Sequence, residues 1–243
     1  MKGRWFADVC SGEGGVAKAV RAKGFRTAEW DTRHGAAYDV AAPRNRRAIA
    51  ADVSAGRILG LMLAPPCSSF SLARTRNSVV RTREEPWGVA GLDERLQQQV
   101  DDGNRIMRAC ISLLTLCAKT GVPAALEQPA TSYALKTPEV LSLLERGVVT
   151  AIVVDFCAYG TAWRKRTCLL VCNVDADDLG RFQRRTCGGA RGICGHTGVG
   201  HFELAGRNDK NILWTQLAQP YPKGLCADLA FILTEGERAK RCH

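Results

Sequence analysis

The chain has 243 residues, of which 46% are hydrophobic and 24% charged, so one large domain, or one domain with a small appendage, can bury a normal core. Its net charge of +10 favours a polyanionic partner such as nucleic acid. No apolar run approaches membrane-spanning length, which excludes a membrane-embedded protein, and Asp8 interrupts any signal-peptide core.

The 11 cysteines are scattered along the chain, several of them within predicted strands and helices. This distribution is not that of a disulfide framework. We therefore expect an intracellular protein, in the nucleus or cytoplasm. We also expect a monomer.

The chain begins with a predicted βαβ unit: a strand over residues 4–9, a helix over 16–23 closed by Gly24, and a strand over 25–30. Residues 10–15 between them read Cys-Ser-Gly-Glu-Gly-Gly, and Glu29 follows about 20 positions after the first strand. This arrangement is typical of a nucleotide or nucleoside site.

Asp8 lies at the end of the first strand. A carboxylate there suits a ligand with a cationic amino group, such as S-adenosylmethionine, better than it suits a pyrophosphate. The alternative is an ordinary β–α turn in which Asp8 only caps the helix.

Residues 58–64 are an apolar run that predicts a buried strand, and Asp52-Val53 is interpreted as the end of a third strand before it. Pro65 and Pro66 stop the apolar run, and Cys67 follows at what would be the carboxyl end of the strand. Ligands of open α/β sheets bind at that edge. An isolated cysteine in such a place is more often a buried structural thiol.

Residues 68–91 form a long connection that carries four arginines, Arg74, Arg76, Arg81 and Arg83, and its length is typical of a functional loop. A long helix is predicted over residues 92–120, and a short strand over 124–126. Glu127 follows that strand, at the same predicted edge as Cys67. A glutamate at a strand end is usually a cap.

A helix is predicted over residues 137–146, and strands over 148–156 and 167–172 form a predicted hairpin, with three consecutive cations before the second strand. The fold class predicted for the chain is α/β. We expect a doubly wound, mostly parallel, Rossmann-like sheet with helices on both faces and a small Cys/His-containing segment.

That segment holds Cys187, Cys194, His196 and His201 within 15 residues, a possible zinc site with Cys172 as a substitute ligand. The alternative is two free cysteines and two surface histidines in a loop. The tail contains a predicted turn at Tyr221-Pro222 and a last helix over residues 225–233.

Several of these blocks, in this order, resemble the motifs of the cytosine-C5 DNA methyltransferase family. Residues 65–71, which read Pro-Pro-Cys-Ser-Ser-Phe-Ser, are similar to its catalytic Pro-Cys loop, and this match is the most specific. Residues 6–15 resemble its cofactor-binding motif, and Glu127-Gln128-Pro129 resembles its Glu-Asn-Pro motif. Arg164 and Arg166 fall where the family has an arginine motif.

The resemblance implies a methyltransferase-type fold that binds S-adenosylmethionine and flips a cytosine out of DNA. Cys67 would be the nucleophile, Glu127 would hold the base near N3, and Arg164 or Arg166 would orient the base carbonyl or a phosphate. The basic loop from Arg74 to Arg83 would close over the strand. The resemblance assigns these residues to the cofactor pocket: Phe6, Asp8, Gly12, Gly14, Glu29, Trp30, Asp52 and Pro66.

The resemblance covers residues 4–172, which gives a catalytic domain over 1–173, a short Arg/Gly/Cys/His segment over 174–211, and a C-terminal segment over 212–243 that packs back on the domain. Two alternatives stay open: an enzyme that methylates RNA, and a catalytically silent nucleic-acid-binding relative. The intact Pro66-Cys67 pair argues against the silent relative. Gln128 in place of asparagine and the lack of a full recognition domain argue for it.

Overall fold

A computed structural model describes residues 3–72 and 79–234. These residues contain six strands: β1 (Trp5–Val9), β2 (Arg26–Trp30), β3 (Ile58–Leu63), β4 (Ala124–Pro129), β5 (Thr150–Asp155) and β6 (Arg166–Cys172). They also contain six α-helices: α1 (Gly15–Ala22), α2 (Pro43–Ser54), α3 (Glu94–Thr120), α4 (Pro138–Glu145), α5 (Trp214–Leu217) and α6 (Lys223–Ile232). The protein is therefore α/β, as predicted.

The six strands form one sheet in the order β2-β1-β3-β4-β6-β5. Strands β1, β2, β3 and β4 run parallel to one another, and β6 is antiparallel to both β4 and β5. The chain leaves β1 on one side for β2 and returns to the other side for β3. The strand order therefore reverses between β1 and β3, which is the kind of point at which α/β sheets bind ligands.

Helices cover both faces of the sheet, as the sequence predicted. One core cluster joins the sheet to α2, α3 and α4, for example through Ile49, Leu61 and Leu114. The second cluster joins the opposite face to α1 and α6, for example through Val20 and Leu229. Two buried faces explain why β3 is apolar at every position, since none of its side chains reaches water.

The long predicted helix is present as α3, and local sequence explains both of its ends. The Asp93 carboxylate accepts the Leu96 N–H at the amino end, and Gly121 adopts a left-handed conformation (φ 74°) at the other. The last predicted helix is present as α6, which packs against α1. Helix α6 thus packs back on the sheet.

The glycine turn and Cys67 lie at the same edge of the sheet. Val9 at the end of β1 pairs with Leu63 at the end of β3, and the Ala64 N–H donates to the Val9 carbonyl at 3.0 Å. The predicted hairpin of β5 and β6 is also confirmed. The later strand β6 lies between β4 and β5, so β5 forms one edge of the sheet.

The interpretation of Asp52-Val53 as a strand end is wrong, because both residues belong to helix α2. Ile49 and Val53 lie four residues apart and are buried on one helical face. The Asp52 carboxylate accepts from Arg57 Nε at 2.6 Å, immediately before β3 begins. Asp52 therefore lies at the amino edge of the sheet, on the side opposite Cys67.

Among the residues that the structure describes, no helix is long and apolar enough to cross a bilayer. The ten cysteines in the same ranges are all free thiols.

Candidate functional site at the carboxyl edge

The glycine turn after β1 brings the backbone close to Glu29. Gly12 and Gly14 have positive φ angles of 55° and 63°, a conformation that glycine adopts without steric cost. A Cβ atom placed on Gly14 would collide with the Glu29 carboxylate. Position 12 therefore favours glycine because of its backbone angle. Position 14 favours glycine for the same reason and also because any side chain would strike Glu29, which lies directly against the turn.

The Glu29 carboxylate is held by a cation from α1. Arg21 Nη1 lies 2.8 Å from Glu29 Oε1 and also donates to the Thr27 hydroxyl at 2.6 Å. The Oε2 atom is the one that faces Gly14. Glu29 is thus fixed at the end of β2 with one oxygen turned to the glycine turn.

A groove of about 440 Å³ opens beside this carboxylate, lined by Ala28, Glu29, Trp30, His34 and Tyr38. The Trp30 and Tyr38 rings meet edge to face with centroids 6.0 Å apart. A smaller cavity of about 50 Å³ is lined by Cys10, Trp30, Asp31, Thr32, Tyr38, Asp39, Val40, Pro66 and Ile106. Trp30 lines both spaces, which places the predicted Trp30 and Pro66 together.

Asp39, and not the predicted Asp52, lines the small cavity. It follows the short 3₁₀ stretch Ala36–Tyr38 and accepts the Ala41 N–H at 2.8 Å. The signal available in the sequence was an acidic residue followed by the apolar pair Val40-Ala41, a few residues after β2. Asp39, which was not predicted to line the cavity, and Asp52, which was, are thus both aspartates followed by valine.

Two of the predicted pocket residues are buried within the domain. Phe6 is fully buried in the cluster beneath α1 and α6. Asp8 is also buried, and its Oδ2 accepts the Ala17 N–H at 3.0 Å, which matches the alternative interpretation of Asp8 as a helix cap. Burial raises the pKa of Asp8 to about 7, and the nearby Glu29 carboxylate adds to the effect.

Cys67 is partly exposed just after β3, at the same edge. Burial of the thiol raises its pKa, the Glu127 carboxylate raises it further, and the Lys165 ammonium lowers it. Cys67, Glu127 and Lys165 are therefore close enough to influence one another electrostatically. Glu127 was predicted at this edge, whereas Lys165 was not assigned a role.

Glu127 and Lys165 form a half-buried pair, with 3.7 Å between Lys165 Nζ and Glu127 Oε1. That distance is too long for a hydrogen bond. Glu127 Oε1 and the Tyr221 hydroxyl are both buried and have no hydrogen-bond partner within the described ranges. Buried polar atoms of this kind are usually satisfied by a ligand or water. Burial and the nearby Glu127 carboxylate both raise the pKa of Tyr221, so these two polar groups lie close to each other.

Gln128, which departs from the asparagine of the family motif, is built into the site. Its Nε2 donates to the Pro65 carbonyl at 2.7 Å, and its Oε1 accepts from the Ser132 hydroxyl at 2.9 Å. Both the Gln128 and the Ser132 side chains are buried. Gln128 therefore joins the end of β4 to the proline turn that presents Cys67.

Arg164 and Arg166 do not meet Glu127. The guanidinium of Arg164 pairs with the buried Asp155, Nε to Oδ1 at 3.0 Å and Nη2 to Oδ2 at 3.3 Å. Arg166 begins β6 with an exposed side chain. Because Leu169 pairs with Glu127 across the antiparallel ladder, alternation places odd-numbered residues such as Lys165 on the face of Glu127.

The predicted basic loop is divided by the structure. Arg74 and Arg76 lie outside the described residues, and Arg83 is exposed. Arg81 is only 1% exposed, stacks over the Phe70 ring at 3.7 Å, and donates to the Ser69 carbonyl at 3.0 Å. The charge of Arg81 therefore holds the segment that follows Cys67, and closure of the loop from Arg74 to Arg83 over a strand stays a prediction.

Three of the four predicted ligands lie together in the structure, and a different residue completes the group. Ligand atoms of Cys157, Cys187, Cys194 and His201 all lie within 4.8 Å of one another and can hold a metal ion. His196 is exposed outside this group, and Cys172 lies beside the Leu114 and Val122 carbonyls. Cys157 takes the place of His196 because it follows β5, and the end of β5 lies beside the loop that carries Cys187, Cys194 and His201.

Comparison with models of known protein families finds no family that matches this chain. Comparison with curated proteins finds no matching relative. The structure itself defines an α/β protein with a mostly parallel six-stranded sheet, a candidate site at its carboxyl edge, and a separate Cys/His cluster.

Proposed function

We propose that this protein transfers a methyl group from S-adenosylmethionine to C5 of cytosine in DNA, with Cys67 as the nucleophile. The observation that carries the proposal is the juxtaposition at one sheet edge. A cavity lined by Cys10 of the glycine turn, Trp30 and Pro66 adjoins Cys67. The resemblance of residues 65–71 to the family's Pro-Cys loop supports the same assignment.

The residues around the groove fit S-adenosylmethionine. Glu29 presents a carboxylate oxygen beside the glycine turn, where it would accept the ribose hydroxyls. Trp30 and Tyr38 offer aromatic surface to the adenine, and Asp39 offers an acceptor for the adenine amine. When bound, the cofactor supplies an electrophilic methyl group.

Cytosine C5 is a poor nucleophile until the ring is activated. The Cys67 thiolate adds to C6 and forms an S–C6 bond, the electrons of the C5–C6 double bond are released toward C5, and N3 takes a proton that Glu127 would supply. Once C5 carries the methyl group, the C5 proton leaves to a base, the S–C6 bond breaks to restore the thiolate, and N3 returns its proton to Glu127. Lys165, beside both Cys67 and Glu127, would stabilise the thiolate.

The target base has to leave its helix, because C6 is out of reach inside a duplex. Glu127 Oε1, which has no hydrogen-bond donor besides its ion pair with Lys165, and the Tyr221 hydroxyl are the polar atoms that would receive it within the described ranges. Arg166, exposed at the same edge, would contact a flanking phosphate.

One observation favours a second candidate, a catalytically silent nucleic-acid-binding protein. The pKa of Cys67 is raised above the ordinary thiol value, so only a small fraction is thiolate at neutral pH. A nucleophile of this kind needs further activation by the bound base or cofactor. A binding protein needs none.

The deciding experiment is covalent trapping on an oligonucleotide that contains 5-fluorocytosine, with S-adenosylmethionine present. The fluorine on C5 cannot leave as a cation, so an enzyme of this mechanism stays attached through Cys67. We expect a denaturation-resistant adduct with wild-type protein and none with Cys67→Ser, because an alcohol is a far weaker nucleophile than a thiolate.

The matched control is Cys10→Ser, which changes the other partly exposed cysteine of this edge and should leave the adduct intact. An RNA oligonucleotide of the same sequence tests the RNA alternative. Adduct formation by Cys67→Ser would refute the assignment of the nucleophile. Cofactor and DNA binding without any adduct would favour the silent binding protein.

A further inference from the structure

The Cys/His cluster has the chemistry of a closed structural metal site. Three of its four ligands, Cys157, Cys187 and Cys194, are buried, and His201 is half-buried. Three thiols and one imidazole are the ligand set that suits Zn²⁺, and four protein ligands leave no position open for a substrate.

The distances fit a metal better than a disulfide. Cys187 Sγ lies 4.0 Å from Cys194 Sγ and 3.7 Å from His201 Nε2. Two sulfurs on a tetrahedral zinc with Zn–S bonds of about 2.3 Å are separated by about 3.8 Å, whereas sulfurs in a disulfide are separated by about 2.0 Å. The four ligand atoms thus surround a space of the size of one ion.

The backbone is shaped to present these ligands. Residues 192–201 form a tight hairpin in which the Cys194 N–H donates to the Val199 carbonyl at 2.8 Å and the His201 N–H donates to the Gly192 carbonyl at 2.7 Å. The Gly195 N–H donates to Cys187 Sγ at 3.3 Å, which would stabilise a thiolate there. A Cβ atom at Gly189 would collide with the Ile193 carbonyl, so the loop closes only with glycine.

A second set of contacts fastens the cluster to the sheet. Asp155, the last residue of β5, accepts the Cys187 N–H on Oδ2 at 2.7 Å. Arg164, already paired with Asp155, donates from Nη2 to the Cys187 carbonyl at 3.1 Å. Buried carboxylates and cations that fix the ligands from outside are usual around metal sites.

We propose that Cys157, Cys187, Cys194 and His201 bind one Zn²⁺, and that this ion clamps the hairpin of residues 192–201 to the loop after β5. Cys157 comes from the 3₁₀ stretch Phe156–Tyr159, whereas the other three ligands come from residues 187–201. The ion therefore cross-links two parts of the chain that the sheet alone does not join. This inference does not depend on methyl transfer.

The test begins with zinc analysis of protein that carries no histidine tag, purified and dialysed against metal-free buffer. We expect about one zinc per chain, the value for a single four-ligand site. His201→Ala should lose most of it. His196→Ala is the matched control, because it changes the same residue type in the same hairpin outside the cluster, and it should retain the metal.

A second measurement uses wild-type protein alone, so a variant that fails to fold does not decide the result. N-ethylmaleimide labelling followed by mass spectrometry should find Cys157, Cys187 and Cys194 protected together and released together when a strong zinc chelator is added. Chelation should also speed tryptic cleavage at Arg184 and Arg191, since the clamp is then open.

Three results would overturn the proposal: folded protein without zinc, loss of zinc from His196→Ala with retention in His201→Ala, or a rate of Cys157 labelling that does not change when the chelator is added. Recovery of a disulfide between Cys187 and Cys194 from reduced, zinc-supplemented cells would also overturn it. Tryptic cleavage unaffected by chelation would refute the clamp even if zinc is bound.

Discussion

At the scale of single residues, Glu127 has two opposed effects on the proposed reaction. Its negative charge raises the pKa of the thiol, which lowers the thiolate fraction. In the proposed reaction the same group supplies a proton to the base. Its two effects can therefore be separated by measuring two reactions of the same thiol.

Glu127→Gln should speed alkylation of Cys67 by iodoacetamide at pH 7.5 and slow trapping by 5-fluorocytosine DNA about 100-fold or more, the usual loss when a general acid is removed. The first effect follows because removal of the charge lowers the pKa of Cys67. Mass spectrometry of the Cys67 peptide and gel analysis of the adduct measure the two rates. Glu145→Gln, an exposed acid at the end of α4, is the control. A parallel fall in both rates would contradict the proposed role.

Asp8 provides a prediction about stability and pH. Its folded pKa is about 7 and its ordinary value 3.8, so the folded protein keeps a proton that the unfolded chain has released between these values. The native state therefore loses stability as pH rises from about 4 to about 7.

Asp8→Asn should remove that loss, since asparagine keeps an oxygen that can accept the Ala17 N–H and carries no charge. The free energy of unfolding of the variant relative to wild type should rise by about 2–3 kcal/mol between pH 5 and pH 8. Urea denaturation at both pH values measures it. Parallel curves for the two proteins would show that burial of Asp8 has no such cost.

At the scale of elements, helix α3 carries a glycine at the point where the loop after Cys67 rests on it. A Cβ atom on Gly103 would collide with the Ser69 hydroxyl and lie 3.2 Å from Arg81 Nη2. Arg81 in turn holds the Ser69 carbonyl and hydroxyl. The glycine lets the helix approach the Cys67 loop closely.

Gly103→Ala should therefore destabilise the protein by about 1–3 kcal/mol, the cost of overpacking, although alanine is the better helix former. Gln98→Ala on the exposed side of α3 is the control and should be close to neutral. Ser69→Ala removes the hydroxyl, so the double variant should lose less than the sum of the two single changes. Thermal or urea unfolding measures all four proteins. A more stable Gly103→Ala protein would contradict this packing.

At the scale of the whole molecule, the net charge of +10 is useful to a DNA-binding protein only where it faces the site. Two exposed arginines lie at opposite edges of the sheet and can be compared directly. Arg166 begins β6 at the carboxyl edge, and Arg146 lies just before β5 at the amino edge.

In the proposed complex with DNA, Arg166→Ala should weaken binding and reduce the slope of log Kd against log salt by about 1, since the proposed phosphate contact is lost. Arg146→Ala should change neither, because it lies at the opposite edge. Fluorescence anisotropy at several salt concentrations measures both. Equal effects of the two substitutions would indicate that DNA binds elsewhere, or that the charge acts without a fixed orientation.

Local pattern was sufficient to predict most of the elements. The βαβ start, the buried strand before Pro65, helix α3 and the β5–β6 hairpin lie within a few residues of their predicted positions. Hydrophobic periodicity indicates which face of a segment is buried, and glycine and proline indicate where it turns or ends. These signals depend only on residues that are close together in the sequence. The shared edge of the glycine turn, Cys67 and Glu127 followed from the rule that parallel strands end together.

Three site assignments were decided only by tertiary structure. Asp39 rather than Asp52 lines the cavity, because α2 carries Asp52 to the amino edge. Lys165 rather than Arg164 faces Glu127, because the register of β6 against β4 fixes which side chains share a face. Cys157 rather than His196 joins the cluster, because β5 ends beside a hairpin that is distant in sequence. In each case the sequence determined which chemical groups were present, and long-range pairing determined which of them meet.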